Sequence, residues 1–183
     1  MDISKYVDLR SYSSSKGFVG YVEYVGENPR SGTDAALDNL ERFLCLTSGE
    51  SIVLTTLAFK GRKKNLKGFY GYKEADFRTY VEPAVHSEMV SECYEDSCSF
   101  RVLPFINGNF RDSGLRSACY IVMALDGVAG HLFIFSRAAS VIFYPHDDTG
   151  FGVIAVEKDN LSSVFFDFFK TDAFKINLEK DYW

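Results

Sequence analysis

The sequence has one tryptophan, three histidines and four cysteines among its 183 residues, and these scarcities narrow its chemistry first. Cys45, Cys93, Cys98 and Cys119 stand at no zinc-finger or dithiol spacing, which argues against a metal-stapled or thioredoxin-like domain. No apolar segment of the kind that forms a secretion signal follows Met1, so the expectation is a cytoplasmic protein with reduced thiols. Apolar runs fall short of the roughly 18 residues of a membrane helix, and the longest are broken by Asp126 and Arg137. A glycine-rich phosphate loop is lacking, and Ser113-Gly114 has no nucleophile-elbow pattern. His86 and His131 are isolated, and Cys119 falls in an apolar stretch that reads as a buried strand, so neither nucleophile nor metal centre suggests itself there.

Against these scarcities stand 17 phenylalanines and 11 tyrosines, which favour strands and a large core. The length suits one domain that buries roughly two-thirds of its unfolded surface without disulfide or metal. Residues 130–156 carry the clearest pattern. Residues 132–135, 141–144 and 152–156 are apolar, β-branched or aromatic, and are separated by small and polar residues that end strands. Three strands and one polar corner, His146-Asp147-Asp148-Thr149-Gly150, are predicted.

Elsewhere, residues 18–25 predict a strand closed by the turn residues 26–32. Leu37, Leu40, Phe43 and Leu44 at helical spacing predict a helix from Thr33 to near Gly49, capped by Ser31 or Thr33. Residues 51–59 read as a buried strand, with a second strand near 69–72 making the basic stretch between them a hairpin tip. Pro83 is expected just inside an acidic helix whose apolar positions are Val85, Met89, Val90 and Cys93. Strands are expected at 100–106 and 115–125, and a helix at 161–169 capped by Asn160 or Ser162. Residues 1–16 form a short helix or arm, and 177–183 an exposed tail. The fold class is therefore α+β: one domain over residues 1–183, mainly antiparallel sheet with a few packed helices.

The net charge of −5 is unevenly laid out. Lys60, Arg62, Lys63, Lys64 and Lys67 put five positive charges in one loop, leaving 15 basic against 25 acidic residues elsewhere. With Phe69, Tyr70 and Tyr72 beside it, that loop has the ingredients of a single-strand nucleic-acid platform, although lysine-rich hairpin tips also serve solubility and edge protection. Glu88, Glu92, Glu95 and Asp96 lie in a stretch without lysine or arginine. They form either a solvated helix face or a surface that docks a basic protein. His146, Asp147 and Asp148 could bind a divalent cation or act as acid and base, but Asp-Asp-x-Gly is also ordinary turn chemistry.

The segments Leu132-Phe133-Ile134-Phe135, Val141-Ile142-Phe143-Tyr144 and His146-Asp147-Asp148-Thr149-Gly150, with the apolar run that follows, resemble the carboxyl-terminal part of small bacterial immunity proteins. Those proteins are found beside polymorphic and contact-dependent growth-inhibition toxins. Their pattern is an apolar strand, a Tyr-Asp-Asp-Arg-Gly-like turn, an apolar strand and a closing helix. Here His146 takes the Tyr place and Thr149 the Arg place. The resemblance implies a cytoplasmic, non-catalytic inhibitor without metal or cofactor that binds a cognate toxin domain, with a basic nuclease as the expected partner. Its contacts would be Glu88, Glu92, Glu95 and Asp96, with Asp147 and Asp148 as a second patch. The alternative is a nucleic-acid-binding protein using the loop at 60–67.

Overall fold

The computed structural model of the chain describes residues 2–60, 78–85, 99–125 and 128–179. It has the α+β architecture expected from the sequence. A seven-stranded antiparallel sheet runs in the order β10-β1-β9-β8-β7-β2-β5, and a three-stranded sheet in the order β4-β3-β6. The strands are β1 (Phe18–Tyr24), β2 (Glu50–Thr55), β3 (Ala58–Lys60), β4 (Glu82–Val85), β5 (Arg101–Ile106), β6 (Val128–Ala129), β7 (Leu132–Ser136), β8 (Val141–His146), β9 (Gly150–Ala155) and β10 (Phe174–Leu178). Three helices, α1 (Pro29–Leu46), α2 (Gly114–Ala124) and α3 (Ser162–Asp167), contribute to the main core.

The meander predicted at 130–156 is the centre of the large sheet, because both of its faces are covered. Val141 and Phe143 pack into the helix-side core, whereas Ile142 and Tyr144 point into a second cluster on the opposite face. That double burial makes these strands read as unbroken apolar runs. The opposite face is closed by the amino-terminal arm. Ile3 and Val7 are buried against Leu54, Phe133, Ile142, Tyr144 and Ile154, and the arm is shaped by 3-10 turns at Ile3–Lys5 and Tyr12–Ser14.

Several expectations are corrected. Residues 115–125 are not a strand: α2 occupies them, capped by Ser113, whose Oγ accepts from Arg116 N–H at 3.4 Å. Leu115, Ser117, Ala118, Cys119, Tyr120, Ile121 and Met123 are all buried, so the helix is covered almost all round and its 3.6-residue period is erased from the sequence. Helix α1 starts four residues before Thr33, because Asn28 caps it by accepting from the Arg30 and Ser31 amides, and Pro29 takes the first helical position. Pro83 lies in β4, parallel to β3, and not in a helix. The expected strand 51–59 is interrupted at Thr56 and Leu57. There Thr55 Oγ1 accepts from Leu57 N–H at 3.0 Å and donates to Tyr80 C=O at 2.9 Å. Asn177 and Leu178 belong to β10 and pair with Tyr21 and Gly20, so the tail is part of the sheet through that point.

Helix α2 is tied to α1 by Arg116. Its guanidinium, 14% exposed, lies 2.8 Å from Asp38 and 3.7 Å from Glu41. Gly20 sits at a bulge between β1 and β9 with φ +147°, and a side chain there would run into the carbonyl of Asn177. No helix among the described residues is long and apolar enough to cross a membrane.

Among the described residues nothing pairs with the outer edge of β5. Asn107 N–H donates to Gly49 C=O, so by strand alternation the even-numbered residues Val102, Pro104 and Ile106 turn their backbone groups outward. Val102 and Ile106 are about half exposed, at 50% and 56%, which makes this edge a template for strand addition were it not for Pro104, which lacks an N–H. Pro104→Thr is expected to raise self-association several-fold, read by light scattering over hours at fixed concentration. Unchanged scattering would remove the guarding role from Pro104.

Candidate site at the hairpin between strands eight and nine

The polar corner lies at the tip of the β8–β9 hairpin. Strand β8 runs on through Pro145 and His146, which pair with Phe151 and Gly150, so the turn itself is only residues 147–149. Proline is tolerated here because β8 ends within two residues. Three contacts fasten the tip to β1. His146 Nε2 donates to Val22 C=O at 2.9 Å, and Tyr24 N–H donates to Asp148 C=O at 3.3 Å. Gly150 lies so close to the Val22 carbonyl that a Cβ would collide with it. Thr149 completes the turn at φ 56°, a left-handed conformation that β-branched residues rarely adopt.

Asp147 and Asp148 are exposed, and their carboxylates and the His146 ring come within 4.8 Å of one another. With Nε2–H given to Val22, the neutral ring presents Nδ1 as an acceptor. Imidazole and two carboxylates are a donor set that suits a divalent cation, although exposed turn carboxylates commonly stand together without one. Burial pulls the His146 pKa below its ordinary value, against the opposing pull of Asp148, the Val22 carbonyl, Asp147 and Glu23. The ring is therefore uncharged at neutral pH. As pH falls, the unfolded chain takes up this proton first, near pH 6.5, so stability is lost from there downward through the lower folded-state value. His146→Gln should accordingly show a smaller fall in melting temperature between pH 7 and pH 5 than the parent protein. Equal slopes in the two proteins would rule out this source of acid sensitivity.

Beside the tip opens a cavity of about 470 Å³. Tyr12, Pro145, His146 and Asp147 form one wall, the last turn of α2 (Val122, Met123, Ala124) with Leu125 forms another, and Leu57, Val128 and Gly130 close it. The volume falls in the range of roughly 300–1,000 Å³ usual for ligand sites. Tyr12 is held in place by a hydrogen bond between its hydroxyl and His131 Nδ1, and by edge contacts to Tyr144 and Phe133 at ring separations of 4.5 and 5.4 Å. Gly130 adopts φ +101° and approaches Thr56 so closely that a Cβ would lie 2.7 Å from its carbonyl oxygen. Burial pushes the Cys119 thiol and the Tyr144 phenol well up, so both remain protonated, and the Cys119 thiol is fully enclosed.

Asp147 and Asp148 are thus brought together on one exposed turn, as the sequence suggested. Glu88, Glu92, Glu95 and Asp96 lie outside the described residues, as do Arg62, Lys63, Lys64, Lys67 and Tyr70; Lys60 ends β3. Nothing in the sequence marks the cavity. Its walls come from the arm, α2, strands β6 and β8 and the connections beside them, far apart in sequence, and no local pattern marks such a meeting. No family model, curated protein or solved structure matches the chain.

Proposed function

We propose that the protein is an immunity protein: a stoichiometric, non-catalytic inhibitor that binds a basic toxin domain, of nuclease type, in the cytoplasm. The observation that carries this reading is the Asp147–Asp148 tip, two exposed carboxylates on a turn fastened to β1 at three points. A surface fixed before encounter loses little entropy on binding, and exposed carboxylates speed and select approach of a basic partner. Asp34, Asp38 and Glu41 on α1 outnumber the Arg116 and Arg111 guanidinium groups paired with them, which leaves a small negative excess on another part of the surface. The chain as a whole carries −5, and Glu88, Glu92, Glu95 and Asp96 contribute to that balance.

The test is co-expression with the carboxyl-terminal domain of the secreted protein encoded directly upstream. Growth should be restored, and the two chains should co-purify one to one. Continued killing despite soluble expression of both chains would refute the reading.

A further inference from the structure

The geometry points to the cavity beside the hairpin tip as a receptor for a guanidinium group on an alkyl stem, an arginine side chain offered by a basic protein partner. The partner's identity rests on the inhibitor reading above; the chemistry of the cavity does not.

Two independent features give the cavity its sign. Asp147 brings a carboxylate to its mouth, and no lysine or arginine is among its described lining residues. Its far wall is the carboxyl-terminal turn of α2, an 11-residue helix with no basic residue in that turn. The last carbonyls of a helix together carry about half a negative charge, which favours a cation placed beside them. Here that negative end lines a cavity already bordered by a carboxylate, so a positive group entering it meets attraction from both sides. His146 lends a neutral acceptor, and burial holds it uncharged at neutral pH.

The remaining surface selects the kind of cation. Leu57, Val122, Met123 and Val128 are apolar and suit methylenes, whereas a small hydrated ion would gain nothing from them. Tyr12 adds a ring to the wall. A planar, weakly hydrated guanidinium packs against such a ring better than a compact ammonium does. An alkyl stem with a guanidinium tip therefore matches both parts of the cavity.

The experiment is an NMR titration of the isotopically labelled full chain with 1-butylguanidinium, with neutral butylurea as its near-isostere. Butylguanidinium should bind with a dissociation constant on the order of 1 mM, typical of so small a ligand. It should shift the amides of Leu57, Val128 and Gly130 together with those of His146 and Asp147. Asp147→Asn should weaken it at least fivefold. Ala124→Phe, which fills the cavity while leaving the carboxylates in place, should abolish the shifts at Leu57, Val128 and Gly130. Equal binding of butylurea, shifts confined to the exposed tip, or no shifts at all would each overturn the assignment. Failure of growth protection with guanidinium binding intact would sink the inhibitor reading alone. Full protection by Ala124→Phe would show that the partner does not use the cavity.

Discussion

Phe165→Ala should lower the unfolding free energy by about 4 kcal/mol. Phe165 is fully buried and is the hub of an aromatic cluster. Its ring lies 4.7 Å from that of Phe143, 4.9 Å from Phe169, 5.5 Å from Phe43 and 5.6 Å from Phe166. The six-residue helix α3 that carries it is too short to persist alone, so packing of this side chain against β8 and α1 holds the helix in place. Truncation removes the ring's transfer energy and leaves a cavity that α1, β8 and β9 cannot fully collapse to fill. In a chain of this size the loss corresponds to a fall in melting temperature of about 8–16 °C. Urea unfolding should show a lower midpoint with an unchanged slope, and Phe165→Leu should lose only about 1–1.5 kcal/mol. A loss below about 1 kcal/mol for the alanine variant would mean that α3 is not anchored by this ring.

Reversing both charges at the tip, Asp147→Lys with Asp148→Lys, is expected to slow association with the partner domain by about 10- to 100-fold at low salt. Dissociation should change less, by the share that Asp147 contributes at the cavity mouth, because exposed carboxylates otherwise act during approach. In the parent protein the association rate should fall as salt rises. In the variant it should rise or stay flat, since salt then screens repulsion. The paired measurement is stopped-flow association at about 0.05 M and 0.3 M salt, roughly bracketing physiological screening. Both side chains are exposed and the turn is fastened through backbone and His146, so folding stability should move by no more than about 0.5 kcal/mol. Association rates that are indifferent to both the substitution and the salt would take the tip out of the interface.

The parts of the fold that were legible in the sequence are those where one physical pressure acts alone. Strands β7, β8 and β9 were readable because burial on both faces demands Val, Ile and Phe at nearly every position. The turn at 147–149 was readable because Asp-Asp-Thr-Gly has no competing use in a strand. Helix α2 was not readable, because enclosure by sheet and helix replaced its polar stripe with more apolar residues, as a buried strand would have shown. Strand β10 alternates Phe174, Lys175, Ile176, Asn177 and Leu178, yet its last residues look like a frayed end unless β1 is known to lie beside them. Tyr12 sits in a serine-rich arm, and nothing local distinguishes a tyrosine that reaches His131 from one facing water. The same is true of the cavity as a whole: each wall is an ordinary piece of its own element, and only tertiary structure brings them together.

The large sheet also sets a timetable for biosynthesis. Strand β1 leaves the ribosome well before both of its neighbours, β9 and β10. At elongation rates of roughly 5–20 residues per second the wait is on the order of ten seconds. During that interval Phe18, Val19 and Val22 have no ladder to join, whereas β7, β8 and β9 are consecutive and can zip as soon as they appear. The nascent molecule is thus a finished middle with an unclaimed leading edge, and the β8–β9 tip gains its anchorage to Val22 only when that edge is finally taken up.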